Sequence, residues 1–205
     1  FLLTNSAWIS IALFGSLPFL LSDIDMGFID AFFESTSGIT TTGATVIESL
    51  ETKSHGILIW RALLQWLGGV GIIVMALAVL PMLSIGGMQL FKTESYETPD
   101  KVVPKAASFA AGISIVYITL TIIWAFMLWG AGMSIFDSIA HAMTTLATGG
   151  YSTKSESLAA FNSSTIEIII IFGMLVGSLP FVHYLTITKN GIRNLVKDDQ
   201  VKLFL

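Results

Sequence analysis

Two short stretches share the pattern Thr-x-Gly-x-Thr/Ser: Thr41-Thr42-Gly43-Ala44-Thr45 and Thr148-Gly149-Gly150-Tyr151-Ser152. Neither holds a carboxylate, an imidazole or a thiol, so the chemistry on offer is that of backbone carbonyls and threonine hydroxyls. Several carbonyl oxygens aimed at one axis can replace the hydration shell of a dehydrated cation. Glycine at the third position supplies backbone freedom, because a residue with a Cβ incurs a steric penalty where φ is positive. The candidate metal-ion ligands are therefore the backbones of Thr41, Thr42, Gly43 and Ala44 and of Thr148, Gly149, Gly150 and Tyr151. Thr41 and Thr148 can add hydroxyl oxygens at one end. One such pattern is weak evidence, since Thr and Gly are common in loops; two copies in register are stronger.

The elements around these loops are apolar. Of 205 residues 54% are hydrophobic and 12% charged, with mean hydropathy +0.80, where a soluble domain carries about 25% charged residues. Apolar runs at Phe1–Leu21, Ile57–Leu83, Ala106–Trp129 and Thr165–Ile187 approach the roughly 20 residues that cross a bilayer as helix, which predicts an all-α integral membrane protein with four spans. The absence of cysteine excludes a disulfide framework and a thiolate metal site. The chain begins inside an apolar run at Phe1 without an initiator Met, as a piece of a longer chain would. No organic cofactor and no nucleic-acid partner are expected.

A repeat organises these elements. FIDAFFESTSGITTTGATV, from Phe28, aligns with IFDSIAHAMTTLATGGYST, from Ile135, so that Asp30 falls on Asp137, Gly43 on Gly150 and Thr45 on Ser152, at a constant offset of 107 (150 − 43). Each copy reads as span, short amphipathic helix, polar loop, span. The short helix has room for about three turns, too few to cross a bilayer, and is expected to be re-entrant. Ser134 with Asp137 predicts a capping box, and Gly27 with Asp30 a weaker version. Because each unit contains two spans, the repeats are parallel and both polar loops face one side. Basic residues Lys92, Lys101, Lys105, Lys189, Arg193, Lys197 and Lys202 follow the second spans, whereas Lys53 and Lys154 lie beyond the loops. The positive-inside rule then turns the loops outward, on a face enriched in Asp23, Asp25, Asp30, Glu48, Glu51, Asp137 and Glu156, which concentrates cations.

The loops resemble the potassium-channel filter signature TVGYG, with the preceding helices aiming C-termini of about half a negative charge at the ion path. With DAFFESTSGITTTGAT, WRALLQWLGGVGIIV, LPMLSIGGMQLFKTE and TTLATGGYST, the sequence resembles the Trk/Ktr/HKT superfamily of potassium transporters, most closely its bacterial TrkH/TrkG branch. The resemblance implies tandem parallel repeats of outer helix, re-entrant pore helix, filter loop and inner helix, two of four around a pseudo-fourfold pore that conducts potassium. The first repeat would occupy 1–90, a cytoplasmic linker 91–105, the second repeat 106–188, and a cytoplasmic or interfacial segment leading to a third repeat 189–205. Gly43 and Gly150 favour potassium, since family members with Ser at the first filter glycine tend toward sodium. A sodium-permeable or sodium-coupled transporter of the same fold is the alternative, and an alternating-access solute carrier is less favoured because its repeats are commonly inverted. The resemblance also implies a bacterial inner membrane location, a homodimer of complete four-repeat subunits, and a cytoplasmic nucleotide-binding regulatory ring of the TrkA/KtrA type, whose contact surfaces would be Phe91–Lys105 and the tail from Lys189.

Other residues have plainer readings. Gly68, Gly69 and Gly71 predict close helix packing more than a hinge. Arg61 and Glu167, early in the second spans, are expected to anchor by snorkelling at the outer end. Glu34, whose counterpart is His141, is expected to have a local packing partner. Trp60, Trp66, Trp124 and Trp129 read as interface or packing residues, and His55 and His183 lack metal-ligand spacing. Ser35 and Ser37 have no base in any triad-like context, so an enzyme is not expected. The charge asymmetry makes a direct prediction. With single cysteines at Ser155 and Thr98, an impermeant thiol reagent on intact cells should label the first and spare the second. The reverse pattern would overturn both the topology and the outward loops.

Overall fold

The computed structural model describes residues 2–83, 102–179, 181, 184 and 201. The expected linker up to Lys101, the tail from Lys189 apart from Val201, and His183 lie outside the described residues. Every regular element among the described residues is helical. In order they are α1 (Leu2–Leu20), α2 (Phe28–Ile39), a 3-10 turn (Leu50–Thr52), α3 (His55–Leu83), α4 (Val102–Gly130), α5 (Ile135–Leu146), a 3-10 turn (Ser157–Phe161) and α6 (Ser164–Ser178).

The two short helices are each 12 residues long and start 107 residues apart (135 − 28). At 1.5 Å per residue each reaches about 18 Å, well short of a hydrocarbon core of about 30 Å. Their starts differ. Ser134 Oγ accepts the Asp137 N–H at 3.0 Å and donates to the Asp137 carboxylate at 2.8 Å. Gly27 holds the extended backbone of an N-cap but contributes no side-chain bond, so the expected weak box reduces there to backbone geometry.

The long helices differ from the apolar runs at their ends. α3 and α4 begin earlier than the apolar composition suggests, at His55 and Val102. α6 stops at Ser178, and Leu179 bends where Pro180 follows in sequence, because a residue before proline is steered out of the α region. Among the described residues, Ala110–Gly130 is long and apolar enough to cross a membrane, while Asn5–Leu20 and Ser164–Ser178 are apolar but shorter.

The chain divides into two compact units, one formed by Phe1–Gly69 with Leu120–Ser178 and the other by Val70–Thr119 with Leu179–Leu205. In the first, Phe19, Ala31, Ile47, Leu50, Ile57, Leu58 and Leu64 form a core beneath the first polar loop, and Ala62, Ala140 and Met143 form a second cluster. Three indoles join helices in this unit by donating hydrogen bonds: Trp60 to the Gly15 carbonyl at 2.9 Å, Trp66 to the Thr121 hydroxyl at 3.0 Å and Trp124 to the Ile169 carbonyl at 2.9 Å. Trp129 is half exposed. Ile9, Leu13, Phe14 and Leu17 on α1 and Ile168, Ile171, Phe172 and Met174 on α6 are exposed, an apolar surface of the kind a membrane or further helices cover. In the second unit Tyr117 meets Phe181 edge-on at 5.5 Å, and Phe181 lies 5.6 Å from Tyr184.

The glycines of α3 divide by environment. A Cβ at Gly68 would lie 2.8 Å from the Ile39 carbonyl carbon, at the end of α2, whereas one at Gly71 would meet no described atom within 4 Å. Gly68 is therefore a site of close approach and Gly71 is not. Gly68→Ala should destabilise by about 1–3 kcal/mol through overpacking, outweighing any gain in helix propensity. Gly71→Ala should be neutral or stabilising by up to about 1 kcal/mol. Thermal unfolding of the full-length protein in detergent measures both; an unchanged melting temperature for Gly68→Ala would refute the close packing.

Candidate functional site

Both polar loops begin as helix stops. After α2, the N–H of Thr41 donates to the Gly38 carbonyl at 2.9 Å and that of Thr42 to the Ser37 carbonyl at 2.9 Å. After α5, the N–H of Thr148 donates to the Thr145 carbonyl at 3.0 Å and that of Gly149 to the Thr144 carbonyl at 2.9 Å. Each is a Schellman motif, which requires a left-handed residue at the first position past the cap, usually glycine. Here that residue is threonine, with φ 53° at Thr41 and 52° at Thr148. A β-branched side chain seldom takes this conformation, and a non-glycine residue held there costs on the order of 1–3 kcal/mol.

Two residues further on, Gly43 and Gly150 both take φ 81°. Thr42, Ala44, Gly149 and Tyr151 do not have positive φ, so handedness alternates along each loop. The peptide bonds of both loops are trans, and in a trans peptide the carbonyl of one residue points opposite to the N–H of the next. With the N–H groups of Thr42 and Gly149 turned back onto the helix ends, the Thr41 and Thr148 carbonyls point away from them. The N–H of Gly43 also leans toward Ser37, at 3.5 Å.

Of the eight candidate backbones, two have carbonyls already engaged. Ala44 O accepts from Ser37 Oγ at 2.6 Å, and Gly149 O accepts from Gln65 Nε2 at 2.9 Å. The carbonyls of Thr41, Thr42, Gly43, Thr148, Gly150 and Tyr151 have no donor among the described residues. The structure brings the two loops together: a Cβ at Gly43 would run into the Gly149 carbonyl oxygen. Glycine at 43 is thus required twice, by its φ and by its neighbour.

Behind the loops lies a buried polar network. Glu34 on α2 is fully buried and receives Arg61 Nε from α3 at 2.7 Å, with Arg61 1% exposed. The same carboxylate accepts from Thr45 Oγ1 at 2.9 Å and the Val46 N–H at 3.0 Å. Arg61 Nη1 donates to the Ser152 carbonyl at 2.9 Å, and its guanidinium lies 4.1 Å over the Tyr151 ring. Tyr151 in turn donates through Oη to the Glu34 carbonyl at 2.9 Å. The expectation that Arg61 snorkels at the outer end is therefore corrected: its charge is neutralised in place. Glu34 does have a local partner, and it is Arg61. Glu167, by contrast, is exposed in the first turn of α6.

The Glu34 and His141 positions, unlike in type, do the same job. Glu34 takes the hydroxyl of Thr45 and His141 Nε2 pairs with that of Ser152 at 3.0 Å, while His141 Nδ1 lies 2.8 Å from the Asp137 carbonyl. Asp137 also accepts the Thr153 hydroxyl at 2.6 Å. At the rim, the Ser155 N–H and Oγ donate to Glu51 at 2.7 and 2.8 Å, and the Leu50 N–H donates to Ser155 Oγ at 3.0 Å. The Ser155 N–H holds the Glu51 carboxyl below its ordinary range. The His55 ring lies 4.1 Å from that of Phe136, tilted by 34°. Sequence reasoning missed Gln65 and the hydrogen-bonding role of Tyr151; the available signal was the i, i+4 placement of Arg61 and Gln65 on one face of an apolar helix. Among the described residues no cluster of His, Asp or Glu has metal-holding geometry.

The whole chain, residues 1–205, matches the family model TrkH, described as a cation transport protein. It is 41% identical to the Trk system potassium uptake protein TrkI of Halomonas elongata, over 98% of this chain and 41% of that protein. It is 39% identical to the Trk system potassium uptake protein TrkH of Escherichia coli K12, over 100% of this chain and 43% of that protein. The crystal structure of the potassium transporter TrkH from Vibrio parahaemolyticus is similar with TM-score 0.83 at 39% identity, covering 96% of this chain and 40% of that one. The chain thus spans about two fifths of the length of the curated relatives it matches.

The buried ion pair predicts strong coupling. Arg61→Met strands the Glu34 carboxylate and Glu34→Gln strands the guanidinium, each costing about 3–5 kcal/mol. The double substitution removes both charges and should cost clearly less than the sum of the singles. A thermodynamic cycle on unfolding of the full-length protein measures this, and additivity within about 0.5 kcal/mol would deny the coupling.

Proposed function

The chain belongs to the TrkH family of cation transport proteins, and from that membership we propose that it forms part of a potassium-conducting pore whose selectivity filter includes the loops at Thr41–Ala44 and Thr148–Tyr151. The observation that carries the reading is the paired loop geometry. In both copies a left-handed threonine and a left-handed glycine alternate with residues of ordinary handedness, N–H groups are tied back to the helix ends, and carbonyls are left without protein donors. Such a surface of carbonyl oxygens replaces the water of a dehydrated monovalent cation.

In this reading 1–90 and 106–188 are two parallel pore repeats, α2 and α5 are re-entrant pore helices, and α3 and α6 are inner helices. The C-termini of α2 and α5 add their partial negative charge to the ion path. The loops face outward from a bacterial inner membrane. A homodimer of complete subunits and a cytoplasmic nucleotide-binding ring complete the assembly. Potassium is the cargo and no chemical step is catalysed. Non-helical backbone at membrane depth must line a cavity or be buried in protein; in this reading Gln65, Arg61 and Glu34 bury one side of the loops and the ion path takes the other.

Gly43→Ser tests the assignment. A side chain there meets the Gly149 carbonyl and must leave a φ of 81°, so potassium-over-sodium selectivity of the reconstituted full-length protein should fall by about tenfold, as expected for a loss of roughly 1.4 kcal/mol of discrimination. Selectivity unchanged in folded protein would remove these loops from the filter.

A further inference from the structure

We propose that Gln65 is a specificity-determining positioning residue, whose carboxamide fixes the orientation of the second loop and through it the discrimination between potassium and sodium. This rests on the filter reading above.

Gln65 is fully buried on α3. Its Nε2 donates to the Gly149 carbonyl at 2.9 Å, and its Oε1 accepts the Tyr151 N–H at 3.0 Å. One planar amide thus straddles Gly150 and holds the peptide planes on either side of it. The first bond turns the Gly149 carbonyl toward α3. The second turns the Gly150 carbonyl away from Gln65, since in a trans peptide it opposes the Tyr151 N–H. Gly149 and Gly150 are consecutive glycines, and with no Cβ on either the peptide between them has little steric reason to prefer one orientation. Gln65 supplies the reason.

The fit is mutual. A Cβ at Gly149 would collide with the Gln65 carboxamide, although Gly149 does not itself take a positive φ. Glycine at 149 is therefore explained by the close approach of Gln65 and not by backbone handedness. Nothing equivalent holds the first loop, whose Thr42 carbonyl has no donor among the described residues. Nor does α6 repeat the device: Gly68 and Gly177 each press on the last residue of their short helix, an offset of 109 (177 − 68), and at that offset Arg61 and Gln65 fall on Ile170 and Met174, both apolar. The clamp belongs to α3 alone and sets a difference between two loops that otherwise match.

Gln65→Met and Gln65→Leu each remove both hydrogen bonds without adding charge. Potassium and sodium fluxes are measured side by side in liposomes containing the full-length protein, with Gly43→Ser as reference. The potassium-to-sodium flux ratio should fall about tenfold in any Gln65 variant that folds, the scale expected when a buried backbone group loses its partner. A lower total flux at an unchanged ratio is what a structural role gives, and would overturn the proposal. So would failure of both variants to fold, which would mark Gln65 as structural. If Gly43→Ser shifts the ratio and the Gln65 variants do not, the proposal fails and the filter reading stands; if neither shifts it, both fail.

Discussion

Arg61 brings its guanidinium into a site where it is 1% exposed, and the exits of both loops are tied to the groups that neutralise it. An unpaired guanidinium at such a position is strongly destabilising. Glu34 supplies the opposite charge from α2, and the Ser152 carbonyl and the Tyr151 ring receive the rest of the guanidinium from the second loop. Because α3 provides the arginine, one rigid helix is bonded at once to the short helix before the first loop and to the end of the second. The Glu34 carboxylate also takes up Thr45 and Val46, so the exit of the first loop is fixed by the same atoms. The pair cancels to no net charge. It can therefore stiffen the loop backbone without adding net charge beside it.

The short helices were legible in the sequence because they are local. A hydrophobic period, a serine three residues before an aspartate and the repeat at 107 placed α5, and the repeat carried the argument to α2, where the side-chain cap bond is missing. The left-handed glycines were legible for the same reason: only a short list of residues accepts that backbone. The left-handed threonines were not, because propensity argues against them and the Schellman bonds that impose them show only in the folded helix ends. Arg61 and Gln65 were harder still. Their partners lie up to 91 residues away, and comparison between the repeats hides them, since Ile170 and Met174 stand at the matching positions. A charge in an apolar helix suggested anchoring; it took the fold to show that the anchor points inward.

The two loops match in the φ of their left-handed residues and differ in support. The first is held chiefly by its own short helix, through Ser37 and Glu34; the second is held by α3, through Gln65 and Arg61. Matching backbones can rest on unlike scaffolds because the Schellman stop and the glycine at the third position settle the local path, and the side chains behind only have to satisfy what that path leaves unbonded. The replacement of Glu34 by His141 shows how permissive this is. One hydrogen-bond acceptor for a hydroxyl serves as well as another, provided the charge of the first is met by an arginine that the second does not need.

The rim clip between Glu51 and Ser155 joins segments 104 residues apart by three hydrogen bonds that include the Leu50 amide. Mechanically the two segments are one hoop, so a change of length in either must be absorbed by the other. For anyone grafting an epitope or a fluorophore near the loops, this makes the stretches at 49–53 and 153–156 poor hosts. The turn between α1 and α2 shares none of these bonds, but its Ile24 and Met26 pack on the core that holds Ile47 and Leu50, so chain added there must leave those two side chains in place.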